Sequence, residues 1–399
     1  MDSILFITNK PFPVGYASTI RFINYSQGLM DAGFRIYVHC INPTENRNNI
    51  RNPRARGKHV GIDFKYTCRT TIRSGCRIIR FLAKIQGLVN SLYSIHLLYK
   101  TSKIKAIILI GPYGLAKELS YYLISRTKGI RLIQERTEYP FITQKDNLIF
   151  KLNLWFYLRI SCKLFDGMIV ISDVLFDYFK NYLSKRAKII VVPIVVDPSR
   201  FETAEMISDQ PEYIAYCGSM QSSKDGIEIL IQAFNLISSK YPSLYLKLIG
   251  NTDFQGFNEL LELVALQGAR ERVEFTGWVS NEEMAGLLKH AKLLTLARPA
   301  TTQAEANFPS KIGEYLSTGK PIVTTDVGNI QKYLIHGVNA FLAKQGDVAD
   351  FAEKMEYVLD HYNEALKVGK AGQELAYSEF NNSYQGRRLA EYISTFLGR

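Results

Sequence analysis

"YIAYCGSMQSSKDGIEILIQAFNLISSKYPSLYLKLIG", residues 213–250, reads as an apolar run, a glycine turn, a helical repeat and a second apolar run. Short apolar runs bounded by turn residues are the mark of fully buried strands, and the longer repeat with helical spacing is the mark of a covering helix. Strand, helix and strand in succession make a βαβ unit, whose strands run parallel and are buried on both faces. Downstream the alternation continues through "RVEFTG" (272–277), "EMAGLLKHAK" (283–292), "LLTLA" (293–297), "PSKIGEYLSTG" (309–319) and "KPIVTTD" (320–326). Repeated alternation of this kind predicts a doubly wound sheet.

Upstream the same grammar recurs. Ile4–Thr8 ends in the Pro/Gly loop "NKPFPVGYAS" (9–18), followed by the helical "TIRFINYSQGLMDAG" (19–33) and the strand-like "FRIYVHC" (34–40). Further strands are expected at Lys105–Ile110, Ile130–Gln134, Gly167–Ser172 and Lys188–Val192, and a basic helix over Ser74–Tyr99. A loop near Pro193–Pro211 divides the chain. The fold class is therefore α/β, with two Rossmann-like domains facing each other across a cleft. The expected domains are 1–200 and 208–372, with 373–399 a terminal helix packing back toward the first domain. A length of 399 residues, 47% of them hydrophobic, suffices for two separate cores.

Charge is unevenly placed. Residues 1–200 hold 31 Lys and Arg against 12 Asp and Glu, whereas the remainder holds 18 against 25. Such asymmetry speaks of partners rather than of fold. An anionic membrane surface is the expected partner, met through Arg77, Arg80 and Lys84 among Ile78, Ile79, Phe81, Leu82 and Ile85. No zinc-finger or RNA-binding signature supports nucleic acid as a partner. The five cysteines form no CxxC pair and the six histidines never cluster, so neither a metal site nor a disulfide framework is expected. Met1–Ile7 is too short for a signal peptide, and no run of 18 apolar residues is present. The expected location is cytoplasmic, against the inner face of the cell membrane.

Three stretches carry candidate chemistry. In "FPSKIGEYLSTGKPIVTTDVGN" (308–329), Pro309 suits a first helical turn, and the N–H groups of Ser310, Lys311 and Ile312 would be open to a phosphate. Lys311 adds a point charge, and Glu314, one turn on, is an acceptor suited to a vicinal diol such as ribose. Alternatively, Lys311 and Glu314 merely pair on a surface helix. In "GSMQSSKDG" (218–226), Gly218 permits close approach of a phosphate that Lys224 would neutralise, unless Lys224 is only solvated. Neither the P-loop nor the full GxGxxG spacing is present. In "QERTEYP" (134–140), Glu135 and Glu138 are placed to touch an acceptor hydroxyl and Arg136 an acidic group, or all three form an internal ionic network. Gly15 ends the first strand's turn, and Arg21 reads as a surface residue of the next helix.

Four stretches together resemble family 4 of the glycosyltransferases. They are "PFPVGYASTIR", "FDGMIVISDVLFDYF" with "KIIVVPIVVDPSRF", "YCGSMQSSKDGIEILIQAF", and "VEFTGWVSNEEMAGLLKHAKLLTLA" leading into "NFPSKIGEYLSTGKPIVTTDVGNI". The resemblance implies the glycosyltransferase B fold and retaining transfer from a nucleoside diphosphate sugar, UDP favoured over GDP. It implies a glycan or polyprenyl-diphosphate-linked acceptor in cell-surface polysaccharide synthesis, such as capsule or lipopolysaccharide. It also implies that no cofactor is permanently bound and that no metal is required. By the same resemblance Gly15, Gly218 and Ser219 approach the donor, and Lys224 stabilises the leaving diphosphate. Lys311 with its neighbouring N–H groups holds phosphate, Glu314 takes the ribose, and Trp278 follows the turn around the base. This chain departs from the family pattern in four places: Ser219 replaces a usual Arg, Ala306 a usual Glu and Ile194-Val195 an Asn-Gly, and the loop "GPYG" (111–114) lacks a histidine found in many members. The competing readings are a sugar-nucleotide epimerase, a phosphorylase, and a degenerate member serving as a scaffold or basic binding protein.

Overall fold

The computed structural model describes residues 1–111, 114–141, 148–203, 211–220, 225–254, 256–266 and 270–397. The chain divides into two compact units, Met1–Val195 with Asn382–Arg399, and Val196–Asn381. Both crossings lie together, because Val196 forms a bridge to Asn381 and donates its N–H to the Phe380 carbonyl. The crossings thus fall at 195/196 and 381/382, where the sequence places them near 200 and 372. The short helix Ser199–Glu202 belongs to the second unit, with Arg200 donating to the Asn281 carbonyl.

Unit 1 is built on an eight-stranded sheet. Its strands are β1 (Ser3–Thr8), β2 (Arg35–Cys40), β3 (Arg56–His59), β4 (Ile62–Tyr66), β5 (Ile104–Ile110), β6 (Arg131–Arg136), β7 (Gly167–Val170) and β8 (Lys188–Val191). Their order is β3-β4-β2-β1-β5-β6-β7-β8, parallel except for the β3–β4 hairpin. Alternation of side chains puts Ile4 and Phe6 into one core with Phe22, Tyr25 and Leu29, and Leu5 and Ile7 into another with Ile95 and Tyr121. The helices that matter below are α1 (Ala17–Asp31), α2 (Arg77–Ser102), α3 (Leu115–Lys128), α4 (Leu148–Arg159) and α5 (Asp173–Phe179). The terminal helix Asn382–Ser394 crosses α1 where two glycines meet: a Cβ on Gly28 would fall on the Asn382 carbonyl, and one on Gly386 on Gly28 itself. Substitution of either glycine would push the helices apart.

Unit 2 carries a six-stranded, all-parallel sheet. Its strands are β9 (Tyr213–Cys217), β10 (Tyr245–Ile249), β11 (Val273–Gly277), β12 (Leu293–Leu296), β13 (Ile322–Thr325) and β14 (Phe341–Ala343). Their order, β11-β10-β9-β12-β13-β14, is the 3-2-1-4-5-6 order of a dinucleotide-binding sheet. The order reverses between β9 and β12, and ligands in such sheets bind beyond the carboxyl ends at that point. Every residue of β9 is buried, as its unbroken apolar run predicts.

Candidate active site

β9 ends at Cys217, and the chain turns at Gly218 with φ +153°. This position tolerates no side chain, since a Cβ would fall on Lys311 Cε and Nζ. Lys311 stands in the first turn of the helix Ser310–Ser317 (α6), which starts from Pro309. The helix is pinned to the strand end by Tyr315, whose hydroxyl takes the Cys217 N–H at 2.7 Å. An ammonium is thereby held over the glycine turn, beside a helix start; of the three N–H groups expected to be open there, that of Ile312 is already given to the Pro309 carbonyl at 3.1 Å. Cys217 is a core thiol that burial pushes up to about 12.

The partner of Lys311 is Asp225, 1% exposed, with an Nζ–Oδ2 distance of 2.7 Å. Tyr216 also donates to Asp225 Oδ2, at 2.8 Å. Burial raises the Asp225 carboxyl, but the charge and hydrogen bond of Lys311 and the hydroxyl of Tyr216 outweigh it and hold the group below its ordinary value. Lys311 is therefore held in place by a buried carboxylate. Gly226, next along, has φ +62° and precedes the helix Ile227–Ser238; a Cβ there would fall on the Ala297 carbonyl beyond β12.

Glu314 lies on the same helix, its side chain 14% exposed. Its nearest cation is Arg200 Nη1 at 3.8 Å, beyond hydrogen-bond range, and among the described residues no hydrogen bond reaches its carboxylate. Burial raises its pKa against the opposing charges of Arg200 and Lys311. A largely buried carboxylate with charge compensation and open lone pairs is an acceptor prepared for hydroxyl donors. The simple Lys311–Glu314 pair does not form, because each side chain has a different partner.

Other expected residues fall differently. Ser310 and Ile312 stand in the first turn of α6. Ser219 is exposed, and its carbonyl accepts from the Tyr216 hydroxyl at 2.6 Å. Trp278 is 57% exposed just after β11. Lys224 lies outside the described residues. In unit 1, Gly15 closes its turn against Thr19 and the Pro11 carbonyl, which leaves no room for a Cβ. Arg21 is not a surface residue but 5% exposed, paired with Glu135 (3%) at 2.8 Å. Its other nitrogens donate to the carbonyls of Val192 and Pro193, and Tyr25 donates to Glu135 Oε1 at 2.9 Å. Glu135 thus sits in an internal ionic network, the second of the two roles open to it. Glu138 is partly exposed, and its carbonyl accepts from Arg136. Asp225 and Arg200 were not singled out in the sequence. The signals available were an acidic residue directly before the turn glycine, and a basic one just past Asp197-Pro198.

Residues 211–361 match the sequence profile of the family described as glycosyl transferases group 1. That stretch of the chain is similar to the group 1 glycosyltransferases. Mannosylfructose-phosphate synthase of Agrobacterium fabrum is 26% identical over 268 residues, which are 62% of this chain and 57% of that protein. The amylovoran biosynthesis glycosyltransferase AmsK of Erwinia amylovora is 23% identical over 43% of this chain and 42% of its own length. The match thus spans about half the length of these relatives. Among solved structures, the sucrose-phosphate synthase of Thermosynechococcus elongatus superposes with a TM-score of 0.76 at 16% identity, covering 100% of both chains. Anabaena HepE in complex with UDP-glucose gives 0.71 at 15% identity, covering 98% of this chain and 99% of its own. The fold is the glycosyltransferase B fold. No helix among the described residues is long and apolar enough to cross a membrane, and no metal-holding group of His, Cys, Asp or Glu occurs among them.

Proposed function

We propose that this chain is a glycosyltransferase that moves a hexosyl or related sugar, with retention, from a nucleoside diphosphate sugar, UDP favoured, to a glycan or lipid-linked acceptor in cell-surface polysaccharide synthesis. Unit 2 binds the donor and unit 1 the acceptor. The observation that carries the donor assignment is the Lys311 ammonium held over Gly218 at the carboxyl end of β9, where the strand order reverses. HepE, a similar fold, is known with UDP-glucose bound, and this supports UDP over GDP.

In the reaction the bond from the sugar's anomeric carbon to the diphosphate breaks, and the bond to the acceptor oxygen forms on the same face. The acceptor's proton passes to the departing phosphate oxygen. Lys311 and the first N–H groups of α6 stabilise the charge that develops there, an electrostatic role that needs no nucleophile and no metal. Lys224 adds to that charge, and Glu314 orients the ribose. Removal of Glu135 to the internal network leaves Glu138 as the carboxylate proposed to meet the acceptor hydroxyl.

The acceptor unit meets an anionic membrane surface. This is supported by α2, where Ile78, Phe81 and Leu82 are 69%, 63% and 56% exposed beside Arg77, Arg80 and Lys84. On α4, Leu148, Ile149 and Trp155 are exposed as well. Apolar side chains flanked by cations suit an interface of acyl chains and anionic headgroups. Replacing the three cations of α2 together should release the protein from anionic vesicles in sedimentation; unchanged sedimentation removes that helix from the account.

The transfer itself is tested with a panel of nucleoside diphosphate sugars, with and without extracted lipid-linked acceptors. Release of UDP that requires both donor and acceptor is the expected result. Silence across the panel, with nucleotide binding unaffected by Lys311→Met, sinks the assignment and points to a scaffolding role.

A further inference from the structure

Arg136 ends β6, well inside unit 1, and is 4% exposed. Its Nη2 donates to the Glu138 carbonyl at 3.2 Å, but Nε and Nη1 are buried with no hydrogen-bond partner among the described residues. Arg21, by contrast, is met by a carboxylate and two carbonyls. An unanswered buried guanidinium is costly, and it persists where something else supplies the missing acceptors.

The surroundings hold the guanidinium in place without quenching it. The Tyr157 ring lies 5.1 Å away and the Phe179 ring 5.6 Å away, both within cation–π range. Tyr157 is itself fixed, donating to Gln134 Oε1 at 2.6 Å. Just past β6, Tyr139 stacks on Phe141 at 4.7 Å and meets Tyr178 of α5 at 5.0 Å. Tyr178 in turn meets Phe179 at 5.0 Å, so these rings continue from the one beside Arg136, whose burial leaves an ionic contact poorly screened. The location is also that of a ligand site, the carboxyl end of a strand in a parallel sheet. Residues 137–141, which follow directly, are partly exposed, so the end of the strand is not sealed from solvent.

We propose that Arg136 is an oxyanion-binding residue of the acceptor site. A phosphate group, or the carboxylate of an acidic sugar, supplies the acceptors that Nε and Nη1 lack. This rests on the reading that unit 1 takes the acceptor, and it adds that the acceptor is anionic at the point where it meets β6. Guanidinium is the side chain suited to such recognition, with fixed donors and a charge that never titrates.

The test uses the full chain with saturating UDP present to occupy the donor site, and titrates inorganic pyrophosphate and, separately, glucuronate. Wild type is expected to bind at least one of them, and Arg136→Met to bind it roughly tenfold more weakly or worse. Arg136→Lys, which keeps the charge and loses the fork, should fall in between. The anion that shows the Arg136 dependence identifies the source as phosphate or carboxylate. In anion-free buffer Arg136→Met should melt no lower than wild type, because an unmet buried charge is exchanged for an apolar chain of similar length. A lowered melting temperature would mark Arg136 as a structural residue and overturn the proposal, as would anion affinity that is absent from wild type or unchanged in the variants. UDP affinity should be equal in wild type and Arg136→Met. Failure of wild type to bind UDP overturns the donor reading instead, and a difference between the variants in pyrophosphate binding would still stand.

Discussion

Arg21–Glu135 in unit 1 and Lys311–Asp225 in unit 2 are both buried ion pairs near the carboxyl ends of parallel strands, with N–O separations of 2.8 and 2.7 Å. Their surroundings set them apart. Arg21 is closed in by two backbone carbonyls, and Glu135 by the Tyr25 hydroxyl. Burial, and then the charge of Glu135, raise Tyr25 far above its ordinary value, so it remains a neutral donor. Lys311 instead lies over a turn that has no side chain, with its own side chain 16% exposed. A pair whose every neighbour is a fixed protein group is architecture. One whose cation borders empty backbone has a coordination site left for a ligand.

The largest effect expected from this contrast is on stability. Arg21→Met strands Glu135 as a buried carboxylate and should cost unit 1 about 3–5 kcal/mol. The chain's two tryptophans separate the units, Trp155 reporting unit 1 and Trp278 unit 2 in denaturant titrations. The Trp155 transition should move while the Trp278 transition and UDP affinity stay; movement of both would erase the distinction.

Lys311→Met should cut UDP affinity roughly 10–100-fold, the worth of a charge-assisted contact to phosphate. It also strands Asp225, so the double variant Lys311→Met with Asp225→Asn should recover stability without recovering affinity. Recovery of both would mean that Lys311 serves the fold alone. Gly218→Ala is a milder form of the same test. It forces a side chain onto Lys311 at a positive φ, and should weaken UDP binding by about tenfold, short of removing the ammonium altogether.

The smallest effect concerns the ribose. Glu314→Gln should weaken UDP by roughly threefold to tenfold and leave pyrophosphate affinity untouched, because a neutral acceptor replaces a charged one. Its raised pKa and the lowered one of Asp225 set an order on acidification. Glu314 takes its proton first, above the ordinary carboxylate range, and the ribose-dependent part of UDP affinity goes with it. Asp225, depressed in the fold, contributes stability that is present above its unfolded pKa and lost only as pH falls through the lower folded value. Calorimetric titration of UDP and pyrophosphate across the acid range should therefore show UDP affinity declining first, and Glu314→Gln should abolish that early decline.

How much of this was legible beforehand follows from what each element encodes locally. β9 and β10 are continuous apolar runs beside glycine turns, and the sequence reading finds them within two residues of their ends. β3 is missed because "RGKH" is polar and exposed, paired only at a sheet edge with β4. β14 is missed because it is three residues long. At the site, Lys311 and Glu314 are legible as residues of a helix's opening turns, since helix geometry is local. Their partners are not: Asp225 is 86 positions from Lys311, and nothing in "SKDG" says that the acid turns inward. Glu135 misleads for the same reason, because Arg21 reaches it from 114 positions away.

The account rests on the donor site at Gly218, Lys311 and Glu314, and a crystal structure of the protein with UDP tests it most directly. The predicted result has a diphosphate oxygen within hydrogen-bond distance of Lys311 Nζ and of the first N–H groups of Ser310–Ser317, with both ribose hydroxyls on Glu314. A nucleotide bound elsewhere, or one bound at this strand end with Lys311 still turned wholly to Asp225, would contradict it.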